Sequence, residues 1–217
     1  MLYRDRVDAG EQLSKLLGGY RDKGPFVLGL PRGGVVVGYQ IALALDAPLD
    51  VLVVRKLGAP FNPEFGFGAI GPGGVRYLDE GSVLMLGLSA GEIEQVAQAE
   101  AAEMDRRIRS YRGDRPEPDL TGKSVILVDD GLATGVTARA AIRVIRRARP
   151  ACVVLAVPVA PIDTAEALRQ EVDDLVCPVA QANFHAISQW YEHFDQTTDR
   201  EVLELLRSNR DTLAGQG

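Results

Sequence analysis

VILVDDGLATGVT, residues 125–137, reads as a strand, an acidic edge and a turn in quick succession. Val125 to Val128 is a short, unbroken apolar run, the pattern of a strand buried on both faces of a parallel sheet. Asp129 and Asp130 stand where that strand should end. A small, hydroxyl-bearing turn follows, Gly131 to Thr137, and then ARAAIRVIRRA reads as a helix. This order predicts an open α/β sheet, mostly parallel and flanked by helices. In such sheets ligands sit outside the carboxyl ends of the strands, so both acids and turn lie on the expected ligand edge.

The turn suits a phosphate. Amides at a helix N-terminus lack intrahelical acceptors and point outward, and the helix dipole favours an anion there. Gly135 permits close backbone approach, and Thr134 and Thr137 add hydroxyl donors. No Gly-Lys-Ser/Thr follows the glycines, so this is not a Walker loop. Two carboxylates do not bind phosphate, but they accept hydrogen bonds from vicinal hydroxyls or share a Mg²⁺. The residues call for a sugar phosphate, its phosphate in the turn and its diol facing the acids.

The 217 residues suffice for one α/β domain with a sizeable core and a small appendage. A net charge of −6 argues against a generally basic nucleic-acid surface. No apolar run reaches the length of a membrane span, and MLYRDRVDAGEQL is not a signal peptide. Cys152 and Cys177 lack CxxC spacing and read as buried free thiols, which points to a reducing, cytoplasmic setting. His185 and His193 have no metal-ligand spacing with a third ligand.

Residues 5–23 read as an opening helix capped by Asp5, with Val7, Leu13, Leu16 and Leu17 on one face. FVLGL (26–30) is a strand, VVVGYQIALAL a helix, and LDVLVVRK (49–56) the next strand. CVVLAVPVA (152–160) and DLVCPV (174–179) read as further strands, with a capped helix from Asp163 to Glu171 between them. A charged helix spans Ser89 to Arg112, and a closing helix starts near Asp199. From Leu57 to Gly74 glycine and proline crowd together. FGFGAI and VRYLDE read there as arms of a glycine-rich hairpin, a lid candidate. We read one domain over 1–217, with its core at about 26–179 and an aromatic C-terminal appendage at about 180–217.

LPRGG (30–34) is a second candidate site. A strand entering a turn with Gly33 and Gly34 exposes amides in a nest suited to anionic oxygens, and Arg32 adds a bidentate donor. Arg55-Lys56 falls at the end of the second strand, either as a solvated basic pair or opening onto the same edge. Glu64, in the lid, is an exposed loop acid or a general acid or base.

At Asp-Asp-Gly-Leu-Ala-Thr-Gly-Val-Thr the chain resembles the type I phosphoribosyltransferases, closest to the adenine-type version. It is also similar to a bacterial subgroup with LPRGGVVV, VRKLGAPxNPEFGxGA and DDGLATGxT blocks, and the likeness runs from about Phe26 to Val159. The resemblance implies binding of 5-phosphoribosyl 1-diphosphate (PRPP) with Mg²⁺. It puts the 5′-phosphate on Ala133, Thr134, Gly135, Val136 and Thr137, and the ribose hydroxyls on Asp129 and Asp130. Pyrophosphate falls to Pro31, Arg32, Gly33, Gly34, Arg55 and Lys56. The Pro31–Arg32 peptide is the one expected to be cis. Phe184, Trp190 or Tyr191 would stack on the acceptor as a hood, unless they are simply core. Ala133 departs from the 6-oxopurine branch, which has an Asp there. The implied reaction is transfer to a nitrogenous acceptor such as a nucleobase, with no nucleic acid or membrane partner and with dimers the common expectation. The alternative is a PRPP-sensing regulator with little or no catalysis.

Overall fold

Four β-branched and leucine residues in a row, Val125 to Val128, have no polar side to show water and must be covered on both faces. In the computed structural model of the chain, which describes residues 2–215 and all side chains there except that of Glu64, this run is the centre of a parallel sheet. The chain begins α1 (Arg6–Leu16), β1 (Pro25–Gly29), α2 (Gly33–Leu45) and β2 (Leu49–Val51). Next come β3 (Arg55–Ala59), β4 (Asn62–Gly71), β5 (Val75–Leu78), α3 (Glu80–Leu86) and α4 (Ala90–Arg112). They are followed by β6 (Ser124–Val128), α5 (Val136–Arg147), β7 (Cys152–Ala156), β8 (Val159–Pro161) and α6 (Ile162–Arg169). Last are β9 (Asp174–Val176), β10 (Val179–Gln181) and α7 (Asp199–Ala214).

The chain divides into two compact units. The first comprises residues 1–52, 118–134 and 148–217. Its sheet has the order β2-β1-β6-β7-β9, every pairing parallel, with β1 and β6 in register from Pro25–Ser124 to Gly29–Val128. Every residue of β1 and β6 is buried. Helix α2 packs on β1, β2 and β6, with α1 and α7 against it, and α6 packs beside β9. This is an α/β fold with a parallel sheet flanked by helices. A two-stranded parallel sheet, β8 with β10, carries the aromatic segment. There Tyr3, Val159, Val179 and Tyr191 form a cluster under Phe184, Trp190 and Phe194.

The second unit, residues 53–117 and 135–147, is built on the antiparallel sheet β3-β4-β5. Leu57, Phe67, Ile70 and Ala97 are its buried centre, and α5 packs against β4 and β5. Arg147 reaches the Gly73 carbonyl, and the Arg139 and Arg143 guanidiniums lie over the Tyr77 ring. The expected FGFGAI–VRYLDE hairpin is β4 with β5, paired from Gly68–Leu78 to Gly71–Val75.

Several elements differ from the sequence expectation. The opening helix ends at Leu16, and Gly18 to Lys23 form 3₁₀ turns instead. Of its expected face, Leu13 and Leu17 are buried but Val7 and Leu16 are exposed. The strand expected over 49–56 stops at Val51. Its ladder partner, β1, has run out at Gly29, so no ladder remains for it to follow. Arg55-Lys56 thus starts β3 of the other sheet rather than ending β2. The strand expected over 152–160 breaks at Pro158, and that over 174–179 breaks at Pro178, since proline cannot donate to a ladder. Helix α6 starts at Ile162 after Pro161, so Asp163 lies in its first turn and does not cap it. Helix α3 is an addition to the sequence reading, capped by the Asp79 side chain, which accepts from the Ser82 amide, and ended by Gly87 in the left-handed region. No helix of the described residues is long and apolar enough to cross a membrane.

Candidate functional site

Two turns leave neighbouring strands of the first unit at the same edge. β1 passes into Pro31-Arg32-Gly33-Gly34, and β6 passes into Asp129-Asp130. The Leu30 amide still donates to the Val128 carbonyl (2.8 Å), so the turns start side by side. They are pressed together closely: a methyl group on Gly34 would lie 2.6 Å from the Val128 carbonyl oxygen and 2.9 Å from Asp129 Cα. One on Gly33 would overlap the Asp130 carboxylate. Glycine is required at both positions for lack of space, whatever its conformational freedom. The Pro31–Arg32 peptide is cis, as expected. Gly33 opens α2, so the first amides of that helix face the acids' end of the sheet.

A cavity of about 230 Å³ opens over this edge. Pro31, Arg32 and Gly33 form one wall, Asp129 and Asp130 another. Arg6, Gln196 and Thr197 close it. The Arg32 guanidinium stands 3.9 Å from the Asp199 carboxylate, too long for a firm pair. Asp129 Oδ1 accepts from the Asp130 amide (2.9 Å), and Asp130 Oδ2 accepts from Arg6 Nε (2.7 Å). Burial and the adjacent Asp130 charge push the Asp129 carboxyl well above the usual carboxylate range. Burial raises Asp130 as well, opposed by the Arg6 charge. Such displaced acids in a cleft are a mark of functional sites, and a reservoir of repulsion that a cationic or hydroxylic ligand relieves.

The hood candidates occupy two settings. Tyr191 is buried, its ring tilted against Tyr3 and Phe194, and its hydroxyl donates to the Asp130 carbonyl (2.6 Å). Burial raises its phenol, so it serves as a neutral donor. Phe184 and Trp190 stack on each other at 6.2 Å between centroids.

Beyond Asp130 the turn runs through Leu132, whose amide donates to Val159, and the exposed Ala133, whose carbonyl accepts from Thr164. This stretch of the first unit ends at Thr134. Gly135, in the left-handed region at φ 75°, opens the second-unit stretch, with Val136 and Thr137 as the first turn of α5.

In the second unit Arg55 and Lys56 line a cavity of about 460 Å³ with Gly58, Pro63, Val96 and Glu100. Arg55 Nε donates to Glu100 Oε2 at 2.7 Å. Glu64 belongs to β4, and its side chain lies outside the described residues.

Arg6, Gln196 and Thr197 went unnoticed in the sequence. A signal existed for Arg6: an arginine at the first position of a helix opposes the helix dipole, which needs a compensating reason. Gln196 and Thr197, in a polar loop, carried none.

The sequence model of the phosphoribosyl transferase domain matches residues 7–193. Two Mycobacterium tuberculosis proteins (MT0597 of strain CDC 1551 and Rv0571c of strain H37Rv), each provisionally named a phosphoribosyl transferase, are 46% identical over 211 residues. That span is 97% of this chain but 48% of theirs, so the chain covers about half the length of these relatives. The crystal structure of TT1426 from Thermus thermophilus aligns over 96% of this chain and 99% of its own, at 38% identity and a TM-score of 0.81. By the domain match and by the parallel sheet with its acidic and glycine turns, the chain belongs to the phosphoribosyl transferase domain family.

Proposed function

We propose that the protein transfers the 5-phosphoribosyl group of PRPP to a nitrogenous acceptor, releasing pyrophosphate with Mg²⁺ bound. The observation that carries this reading is the polar cavity shared by the Pro31–Gly34 turn and the Asp129–Asp130 pair. It offers anion donors on one wall and hydroxyl acceptors on the other, as a ribose diphosphate requires.

In this reading the bond between the anomeric carbon and the pyrophosphate oxygen breaks through an oxocarbenium-like state, and the carbon–nitrogen bond forms. The proton lost by the acceptor nitrogen passes to a base or to water, and Glu64 is the candidate base. Gly33 and Gly34 amides with Arg32 take the leaving pyrophosphate. Thr134, Gly135 and Thr137 hold the 5′-phosphate. Asp129 and Asp130 orient the ribose hydroxyls, and no covalent nucleophile is needed. Phe184 and Trp190 flank the acceptor.

The donor set fits Mg²⁺. Among the described residues no group of three or more acid, His or Cys side chains is placed to hold an ion. Asp129 and Asp130 would hold it directly or through water, with substrate oxygens and water completing the shell, the manner Mg²⁺ prefers. When bound, the ion neutralises charge on the departing pyrophosphate.

The test is the double variant Asp129→Asn, Asp130→Asn. Pyrophosphate release should fall by roughly 100-fold or more, the scale of losing oriented polar groups at a reacting centre. Circular dichroism should stay unchanged. Undiminished turnover would overturn the assignment. PRPP binding by the wild type without release, whatever acceptor is offered, would point instead to a PRPP sensor.

A further inference from the structure

Arg6 is held more firmly than a surface arginine needs to be. Its side chain is 12% exposed, and its Nε lies 2.7 Å from Asp130 Oδ2. Its Nη1 donates to the Asp195 carbonyl at 2.7 Å, and its guanidinium stacks 3.9 Å above the Phe194 ring. Arg6 also walls two cavities at once. One is the acid-pair cavity, and the other, about 240 Å³, lies between the start of α1 and the 193–197 segment. Gln196 and Thr197 are the other residues common to both. A carboxylate that could rotate freely about its Cβ–Cγ bond would be a poor template for a diol, and a guanidinium gripping one oxygen removes that freedom.

We propose that Arg6 is a positioning residue: it fixes the Asp130 carboxylate so that the acid pair presents one arrangement of acceptors to the ribose hydroxyls. It also ties that arrangement to the 194–195 segment. The inference rests on the ribose reading of the acid pair. Arg6 acts through Asp130, so its effect is confined to ligands that carry the diol. Lysine cannot reproduce it, because a single ammonium cannot grip the carboxylate, reach the Asp195 carbonyl and stack on Phe194 together.

The experiment is calorimetric titration of the full chain and of Arg6→Gln and Arg6→Lys with ribose 5-phosphate and 2-deoxyribose 5-phosphate. The ratio of the two affinities is the readout, since a general loosening of the fold lowers both alike. Wild type should prefer ribose 5-phosphate. The preference should shrink roughly tenfold in Arg6→Gln, the scale of one charge-assisted hydrogen bond, and be only partly restored in Arg6→Lys. An unchanged ratio in both variants overturns the inference and leaves the ribose reading standing. Should Arg6→Gln not fold, as its melting curve would show, the Arg6→Lys ratio decides alone. No preference in the wild type overturns both the ribose reading and the positioning role of Arg6.

Discussion

The acid pair is an arrangement that folding alone would not select. Asp129 carries a carboxyl raised by burial and by its neighbour's charge, so the folded state binds that proton more tightly than the unfolded chain. The sign follows from linkage. This acid costs nothing at low pH, and the cost appears as pH rises from the ordinary value of 3.8 through the raised folded value. Asp129→Asn keeps the acceptor for the Asp130 amide and removes the charge. It should raise the melting temperature by a few degrees at neutral pH. The gap to wild type should vanish near pH 3, and equal melting temperatures at pH 7 would refute the account. Gly33→Ala makes the opposite bet. Its methyl group needs the space of the Asp130 carboxylate and would approach Arg6 Nε to 2.7 Å. We expect a loss of about 1–3 kcal/mol in urea unfolding, as overpacking typically costs, together with weaker PRPP binding. At this scale the sequence announced Asp129, Asp130 and the two glycines through their order after apolar runs. It could not announce Gln196 or Thr197, because a polar residue brought to a site by tertiary folding looks like any loop residue.

Elements of the first unit are joined by buried polar contacts as well as by apolar packing. Helix α7 reaches β2 through Asn209, which is 2% exposed. Its Oδ1 accepts from the Leu49 amide (2.9 Å) and its Nδ2 donates to the Ala47 carbonyl (3.1 Å). Asn209→Ala strands both backbone groups and should cost about 2 kcal/mol, seen as a lower urea midpoint. A midpoint within error of wild type would mean that water replaces the amide. In the second unit, Phe61 in the β3–β4 turn is 69% exposed and Phe65 at the start of β4 38%, an apolar tip on the segment whose sequence reads as a lid candidate. Amide exchange over residues 57–67 should slow on adding PRPP and Mg²⁺, and exchange unaffected by the ligand would argue against a lid. The strand–turn–helix units were legible because local apolar runs and helical periods specify them. The early end of β2 was not, since it depends on the length of β1, a partner distant in sequence. Pro158 and Pro178 did mark the breaks into β8 and β10, and the continuous apolar runs around them obscured it.

The chain folds as two compact units, a parallel-sheet unit that holds the acids and the glycine turn and a smaller antiparallel unit that carries Arg55, Lys56 and Glu64. A net charge of −6 gives no general attraction for a polyphosphate, so in the proposed reading affinity for PRPP rests on local donors such as Arg32, Gly33 and Gly34. The most direct measurement is therefore calorimetric titration of the intact chain with PRPP, with and without Mg²⁺. We predict saturable binding at one site that strengthens with Mg²⁺ and disappears in the Asp129→Asn, Asp130→Asn variant. No binding under either condition, or binding that survives loss of both acids, would contradict it.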